Sequence, residues 1–200
     1  MAKNIARLRS YIQDMTRLVS GNASDEPRLL AEGETLLKDL ITHDDWLPDE
    51  FAVPSSESYR QYLLHCDPLE RFSVVSFVWG PGQKTPVHDH TVWGLVGVMR
   101  GAELCEEFNG AVAGRPFNAT GHHRIDPGEV DRVSPTIGDI HVVSNAYADR
   151  PSVSIHVYGA NIGAVRRHVF DRGNGAEREF ISGYHNVVMP NLWDCSQERR

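Results

Sequence analysis

The chain has 200 residues, 40% of them hydrophobic and 24% charged, enough to bury the core of one ordinary domain. Its 27 acidic and 20 basic side chains leave a net charge of -7, and the Lys and Arg residues are scattered among the acids. With no basic stripe to meet phosphates, nucleic acid is not expected as a partner.

No apolar run approaches the ~20 residues of a membrane span, so no membrane association is expected. The N-terminus "MAKNIARLRSYIQDM" lacks the apolar stretch of a secretory signal. The three cysteines, Cys66, Cys105 and Cys195, are odd in number and widely spaced, which suits a reducing cytoplasm better than a disulfide framework.

In chain order, Ile5, Leu8, Ile12, Met15 and Leu18 recur at helical spacing and predict a first helix. "GNASDEP" breaks that pattern. Ser24 or Asp25 is then placed to cap a second helix, with Pro27 in its first turn and Leu29, Leu30, Leu36, Leu37, Leu40 and Ile41 as its buried stripe. "LPDEFAVPSSES" reads as a loop, and "ESYRQYLLHC" as a short helix or a first strand. From Phe72 the character changes. "FSVVSFVW", "VWGLVGVM", "AELCEEF", "VDRVSP", "DIHVVSN", "SVSIHVYG" and "RRHVFDR" read as short strands punctuated by Gly, Pro, Asn and Asp. The expectation is a mainly β barrel or sandwich with N-terminal helices packed outside. A single domain over 1–200 is expected to comprise a helical part at 1–50, a barrel at 59–180 and an irregular tail at 181–200.

His88 and His90 flank Asp89. On a strand, alternate residues face one way, so both imidazoles would point to one side and could chelate one metal ion. Taken alone, this pattern also fits two polar residues on a loop. His141 adds a third imidazole, within "PTIGDIHVVSN" and after a glycine turn. The frame of Gly82, His88, His90 and Gly101, followed by Gly138, His141 and Asn145, resembles the two motifs of a cupin. That resemblance implies an antiparallel jelly-roll barrel with one metal in its mouth. The pattern departs from the usual one where a glutamate ligand commonly follows, since Gly94 and Leu95 stand there. The implied ligand set is three neutral imidazoles, which suit iron, zinc, copper or nickel. The other histidines, among them His43, His65, His122, His123, His168 and His185, lack this frame.

"PSVSIHVYG" places Ser154, His156 and Tyr158 at strict alternation, with Val153, Ile155 and Val157 on the other face. The row reads either as the solvent face of an amphipathic strand or as a chain in which serine orients imidazole and imidazole orients phenol. Three metal histidines together with Ser-His-Tyr resemble the thiol dioxygenases, the cysteine dioxygenase family of cupins, from about Tyr59 into the "GYHNVVMPNLWD" tail. The resemblance implies one non-haem Fe(II) per chain held by His88, His90 and His141. It also implies O2 as co-substrate, a small thiol converted to its sulfinic acid, and Ser154, His156 and Tyr158 as an outer-sphere triad.

Within that family, the cysteine that crosslinks the active-site tyrosine of some members falls here on Gly94, so Tyr158 is expected to be uncrosslinked. The resemblance to bacterial 3-mercaptopropionate dioxygenases implies Gln61 and Arg167 as substrate-binding residues. A one-residue slip would give Arg60 the carboxylate instead, and Arg166 adjoins Arg167. Cysteine and mercaptosuccinate remain alternative substrates. An isomerase-type or non-catalytic metal cupin is the alternative class. Trp79 and Trp93 are expected in the core more than in the pocket.

Overall fold

The computed structural model describes residues 4–186. Two helices, α1 (Ala6–Asn22) and α2 (Glu26–Ile41), open the chain. Asp25, not Ser24, caps α2: its side chain accepts a hydrogen bond from Arg28 N at 3.1 Å, satisfying one of the orphan amides of the first turn. Leu29, Leu30, Leu37, Leu40 and Ile41 are buried as the stripe requires, while Leu36 lies at its margin, partly exposed.

Eleven strands follow among the described residues: β1 (Arg60–Cys66), β2 (Ser73–Trp79), β3 (Val87–His88), β4 (Gly94–Arg100), β5 (Glu103–Phe108), β6 (Ala119–Ile125), β7 (Val130–Val133), β8 (Ile140–Asn145), β9 (Ser152–Tyr158), β10 (Arg167–Phe170) and β11 (Glu177–Phe180). They form two antiparallel sheets, of order β1-β2-β9-β4-β7 and β11-β10-β3-β8-β5-β6. This is a cupin jelly-roll with helices on one outer face. "ESYRQYLLHC" resolves as strand β1, paired along β2. Two strands, β6 and β11, are not expected from sequence; they are the two edges of the six-stranded sheet.

The helices pack on the outer face of the five-stranded sheet. Leu8, Ile12, Met15 and Leu37 meet Val74, Leu95, Ile155 and Val157 there, all fully or almost fully buried. Each such apolar side chain contributes ~1.5–3 kcal/mol on burial. The opposite face of that sheet lines the barrel, where Val75, Phe77, Trp79 and Tyr158 cluster with Val143. Strands β2 and β9 are therefore buried on both faces along their whole length. The row Ser154, His156 and Tyr158 is consequently not a solvent face: it points into the barrel, while Val153, Ile155 and Val157 point to the helices.

The segment after β11 is irregular to residue 186, and residues 187–200 of the expected tail lie outside the described residues. It runs along the free edge of β1. His185 N donates to Gln61 O at 2.8 Å, Gln61 N donates to His185 Nδ1 at 2.9 Å, and the Asn186 side chain takes both backbone groups of Leu63. The edge amides are thereby paired without a further strand.

Candidate metal centre and substrate cavity

His88 and His141 are direct neighbours in the antiparallel ladder of β3 and β8, so their side chains leave the sheet on one face. His90 arrives differently from the alternation expected of a strand. β3 ends at His88, and His90 sits in the turn beyond it. Asp139 shapes that turn. Its carboxylate accepts hydrogen bonds from His90 N at 3.0 Å, Thr91 N at 2.8 Å and His90 Nδ1 at 2.9 Å. Thr91 is held at φ 60°, a left-handed conformation that a β-branched residue adopts only at a cost of about 1–3 kcal/mol. Asp89 points the other way and binds His168, through the backbone N–H at 2.7 Å and Nδ1 at 2.8 Å.

The three rings form a near-equilateral cluster with centroid separations of 4.9, 4.8 and 4.8 Å. Each Nδ1 is engaged: His88 with Pro86 O at 3.1 Å, His90 with Asp139, and His141 with Cys105 Sγ at 3.6 Å. That leaves Nε2 on each ring as the ligating atom, oriented by the bond its partner nitrogen makes. His90 Nε2 is buried with no hydrogen-bond partner, an arrangement that costs about 1–3 kcal/mol unless something occupies it. Burial first, and then the neighbouring imidazole of His90, push His88 down to about 3 and His141 well below the ordinary histidine range. Both are thus neutral at physiological pH, the form that ligates. The three histidines fit a metal ion, and among the described residues no carboxylate belongs to their group.

Across the barrel, on the five-stranded sheet, Ser154 Oγ lies 2.8 Å from His156 Nε2, and His156 Nδ1 lies 2.8 Å from Tyr158 Oη. Trp79 Nε1 donates to Ser154 Oγ at 3.3 Å. In the tautomer that carries its proton on Nδ1, His156 accepts from Ser154 and donates to the phenol oxygen, which leaves the phenol O–H free to point elsewhere. Phe77 stacks on His156 with centroids 3.9 Å apart, fixing the ring plane. Burial holds His156 well below and Tyr158 well above their ordinary ranges, so both are neutral. Tyr158 stacks 5.2 Å from His90 and joins the two sets of residues. Behind this row sits Glu103, fully buried, with one carboxyl oxygen unpartnered. Burial pushes it up to about 8, while its other oxygen accepts a hydrogen bond from Ser152 Oγ at 3.5 Å.

A cavity of about 240 Å³ lies between the sheets, with His88, His141, His156 and Tyr158 on its walls together with Gln61 and Arg167. Arg167 is 3% exposed. One of its terminal nitrogens donates to Ser182 Oγ at 2.8 Å, its guanidinium lies over the Phe180 ring at 4.7 Å, and its Nε has no partner. Gln61 Oε1 is likewise buried and unpartnered. Arg60 and Arg166 are elsewhere: Arg60 binds Ser55 Oγ, and Arg166 pairs with Glu179 at the surface. Trp79, expected as core, is fully buried and also lines the cavity, while Trp93 packs partly exposed against the helix side. Tyr59, Thr85 and Arg178 on the walls, and Asp139 behind His90, are not singled out by the sequence. No local pattern marks them; strand pairing and the turn at His90 bring them in.

An antiparallel barrel with three inward imidazoles at one mouth defines a cupin whose histidine cluster could hold a metal ion. More narrowly, the chain belongs to the cysteine dioxygenase type I family, whose model matches residues 43–173. Among solved structures, it is similar to a double-stranded β-helix protein from Klebsiella pneumoniae subsp. pneumoniae, 17% identical, covering 68% of this chain and 96% of that one at a TM-score of 0.46. A protein from Thermus thermophilus is 19% identical, with coverage of 56% and 92% and a TM-score of 0.44. A cupin-like protein from Thermotoga maritima is 20% identical, with coverage of 62% and 87% and a TM-score of 0.43. Family membership points to an iron-dependent thiol dioxygenase.

Proposed function

We propose that this chain is a cytoplasmic, non-haem iron dioxygenase that converts a small thiol carboxylate, 3-mercaptopropionate in preference, to its sulfinic acid with O2 as co-substrate. The observation that carries this reading is the composition of the cavity. Buried Arg167 shares it with two of the three metal histidines and with Tyr158, and among the described residues no Asp or Glu lines it. An arginine fork matches a carboxylate. A substrate ammonium would have no acid to pair with and would be desolvated at a penalty. This favours 3-mercaptopropionate over cysteine. Arg178, a second cation on the wall, favours mercaptosuccinate as the second reading.

His88, His90 and His141 hold the metal. Fe(II) bound there would supply the charge that keeps a substrate thiol ionised and a redox-active centre through which O2 can oxidise the sulfur, with the electrons coming from the sulfur itself and no net electron from iron. The residues of the chain do the rest. Arg167 Nε and its free guanidinium N–H groups bind the carboxylate, and the Gln61 amide lies alongside. Ser154 and His156 hold the Tyr158 hydroxyl in one orientation, as a donor towards the reacting end of the substrate. Phe77, Trp79 and Val143 keep water from the sulfur.

Oxygen consumption by the iron-loaded chain, measured with a panel of thiols, tests the reading. The highest kcat/KM is expected with 3-mercaptopropionate, a lower one with cysteine, and little turnover of cysteamine, which lacks the carboxylate. Arg167→Ala is expected to narrow the advantage of the carboxylate substrates over cysteamine. If cysteine proves best, the assignment of Gln61 and Arg167 fails; if no thiol drives oxygen uptake, the dioxygenase reading fails.

A further inference from the structure

A second group of ligand-bearing side chains lies outside the substrate cavity. Cys105 on β5 and His123 on β6 are paired directly across the antiparallel ladder, so both side chains leave the sheet on the same face. Asp131 comes from β7, the edge strand of the other sheet. One potential ligand atom from each lies within 4.8 Å of the others. His123 Nε2 meets Asp131 Oδ2 at 2.5 Å, and its Nδ1 is 3.6 Å from Glu107 Oε1. Beside them a cavity of about 310 Å³ is lined by Cys105, Glu107, Asp131 and His141, roomy enough for water molecules to complete a coordination shell.

The electrostatics favour a cation at this point. The side chains of Asp131 and Glu107 stand beside Cys105 and His123, and a carboxylate surround stabilises a bound positive ion. Thiolate, imidazole and carboxylate converging from three strands form the donor mix of a borderline-soft divalent ion. The side chains of His123 and Asp131 are 38% and 25% exposed, so an ion has access from solvent and both groups can adjust.

We propose that Cys105, His123 and Asp131 form a second metal site, distinct from the three-histidine centre, that takes a divalent cation of the zinc class. The ligands are Cys105 Sγ, one ring nitrogen of His123 and one carboxylate oxygen of Asp131, with water in the remaining positions and the thiol proton released to solvent. An ion there clips edge strand β6 to edge strand β7, where the two sheets share no ladder. It also acts on the other centre, because Cys105 Sγ lies 3.6 Å from His141 Nδ1. A metal thiolate accepts that N–H bond and orients the ring from behind.

The test is titration of the iron-loaded chain with Co(II), followed by its near-ultraviolet thiolate-to-metal charge-transfer band. Three imidazoles offer no thiolate, so Co(II) exchanging into the other centre produces no such band, and failure of the dioxygenase reading leaves this result unaffected. The expected outcome is one added equivalent of Co(II) with the band present, bleached when Zn(II) displaces it and absent in Cys105→Ser. Cys105 is a core residue, so His123→Ala and Asp131→Asn provide the second arm. Each is expected to weaken Co(II) binding by at least the ~10–100-fold seen when even an outer-shell partner is lost. The site is refuted by a folded wild-type chain with no thiolate band, by a band that survives Cys105→Ser, or by unchanged Co(II) affinity in the His123 and Asp131 variants.

Discussion

Tyr158 has a hydroxyl hydrogen-bonded to His156, a ring stacked on His90, and a cross-strand neighbour with no side chain. A Cβ at Gly94 would sit 2.8 Å from Tyr158 Cδ1 and 2.9 Å from Val133 Cγ2. Glycine is required there by contact. Gly94→Ala is therefore expected to lower stability by about 1–3 kcal/mol and to reduce turnover by displacing the ring; a variant with the wild-type Tm and turnover would show that the ring retreats freely. With no side chain at 94 there is no partner for a thioether, and intact mass should show no loss of two hydrogens. Tyr158→Phe removes only the hydroxyl. It is expected to fold normally and to lose roughly 10–150-fold in kcat, the equivalent of ~1.5–3 kcal/mol for one charge-assisted hydrogen bond. Unchanged kinetics would place the hydroxyl outside the chemistry.

Among the elements, the short β3 and the turn after it decide how the three histidines of the candidate metal site come together. A longer strand would carry His90 away along the ladder; the turn instead folds it back beside His88. Asp139 holds that turn with three hydrogen bonds. Burial pushes the Asp139 carboxyl up, but the hydrogen bonds from the His90 ring and from the Thr91 and His90 amides outweigh it and leave the group below the usual carboxylate range, hence ionised. Asp139→Ala is expected to weaken metal binding by roughly 10–100-fold while the far-ultraviolet circular dichroism stays that of the wild type. Wild-type metal affinity in this variant would mean that the turn keeps its shape without the carboxylate. At the other extreme are edge strands β6 and β11, whose residues are mostly exposed. Their polarity protects the sheet from pairing with other chains and hides them from any search for apolar alternation.

At the scale of the whole molecule, two sheets face each other and one sheet is covered by helices, so the interior must absorb several polar groups. Glu103 is one of these, fully buried with one carboxyl oxygen unpartnered. Burial raises it from about 4.5 to about 8. Between those values the folded chain keeps a proton that the unfolded chain has lost. The contribution of Glu103 to stability is therefore fully present below about 4.5 and is lost as pH rises towards about 8. Glu103→Gln removes this titration. Thermal melts across that range should show the variant gaining on the wild type as pH increases. A difference that does not change with pH would mean that Glu103 is ionised in the folded chain.

The amino-acid sequence by itself determined the parts of this protein that depend on local period and residue type. The helical stripe from Leu29 to Ile41, the strands β2 and β9, and the placing of Ser154, His156 and Tyr158 on one face of β9 were legible because a side chain's direction repeats every 3.6 or every 2 residues; that this face turns inward is decided by the helices covering the other one. The tertiary structure decided what local period cannot encode. His90 owes its place to a carboxylate from another part of the chain, Asp139. Arg167, not Arg60 or Arg166, reaches the cavity because β10 pairs beside β3. Cys105, His123 and Asp131 meet only because two sheets bring their edges together. In an antiparallel barrel, contacts between residues far apart in the chain are set by which strands pair and in what register, and that choice belongs to the packing of all the strands at once.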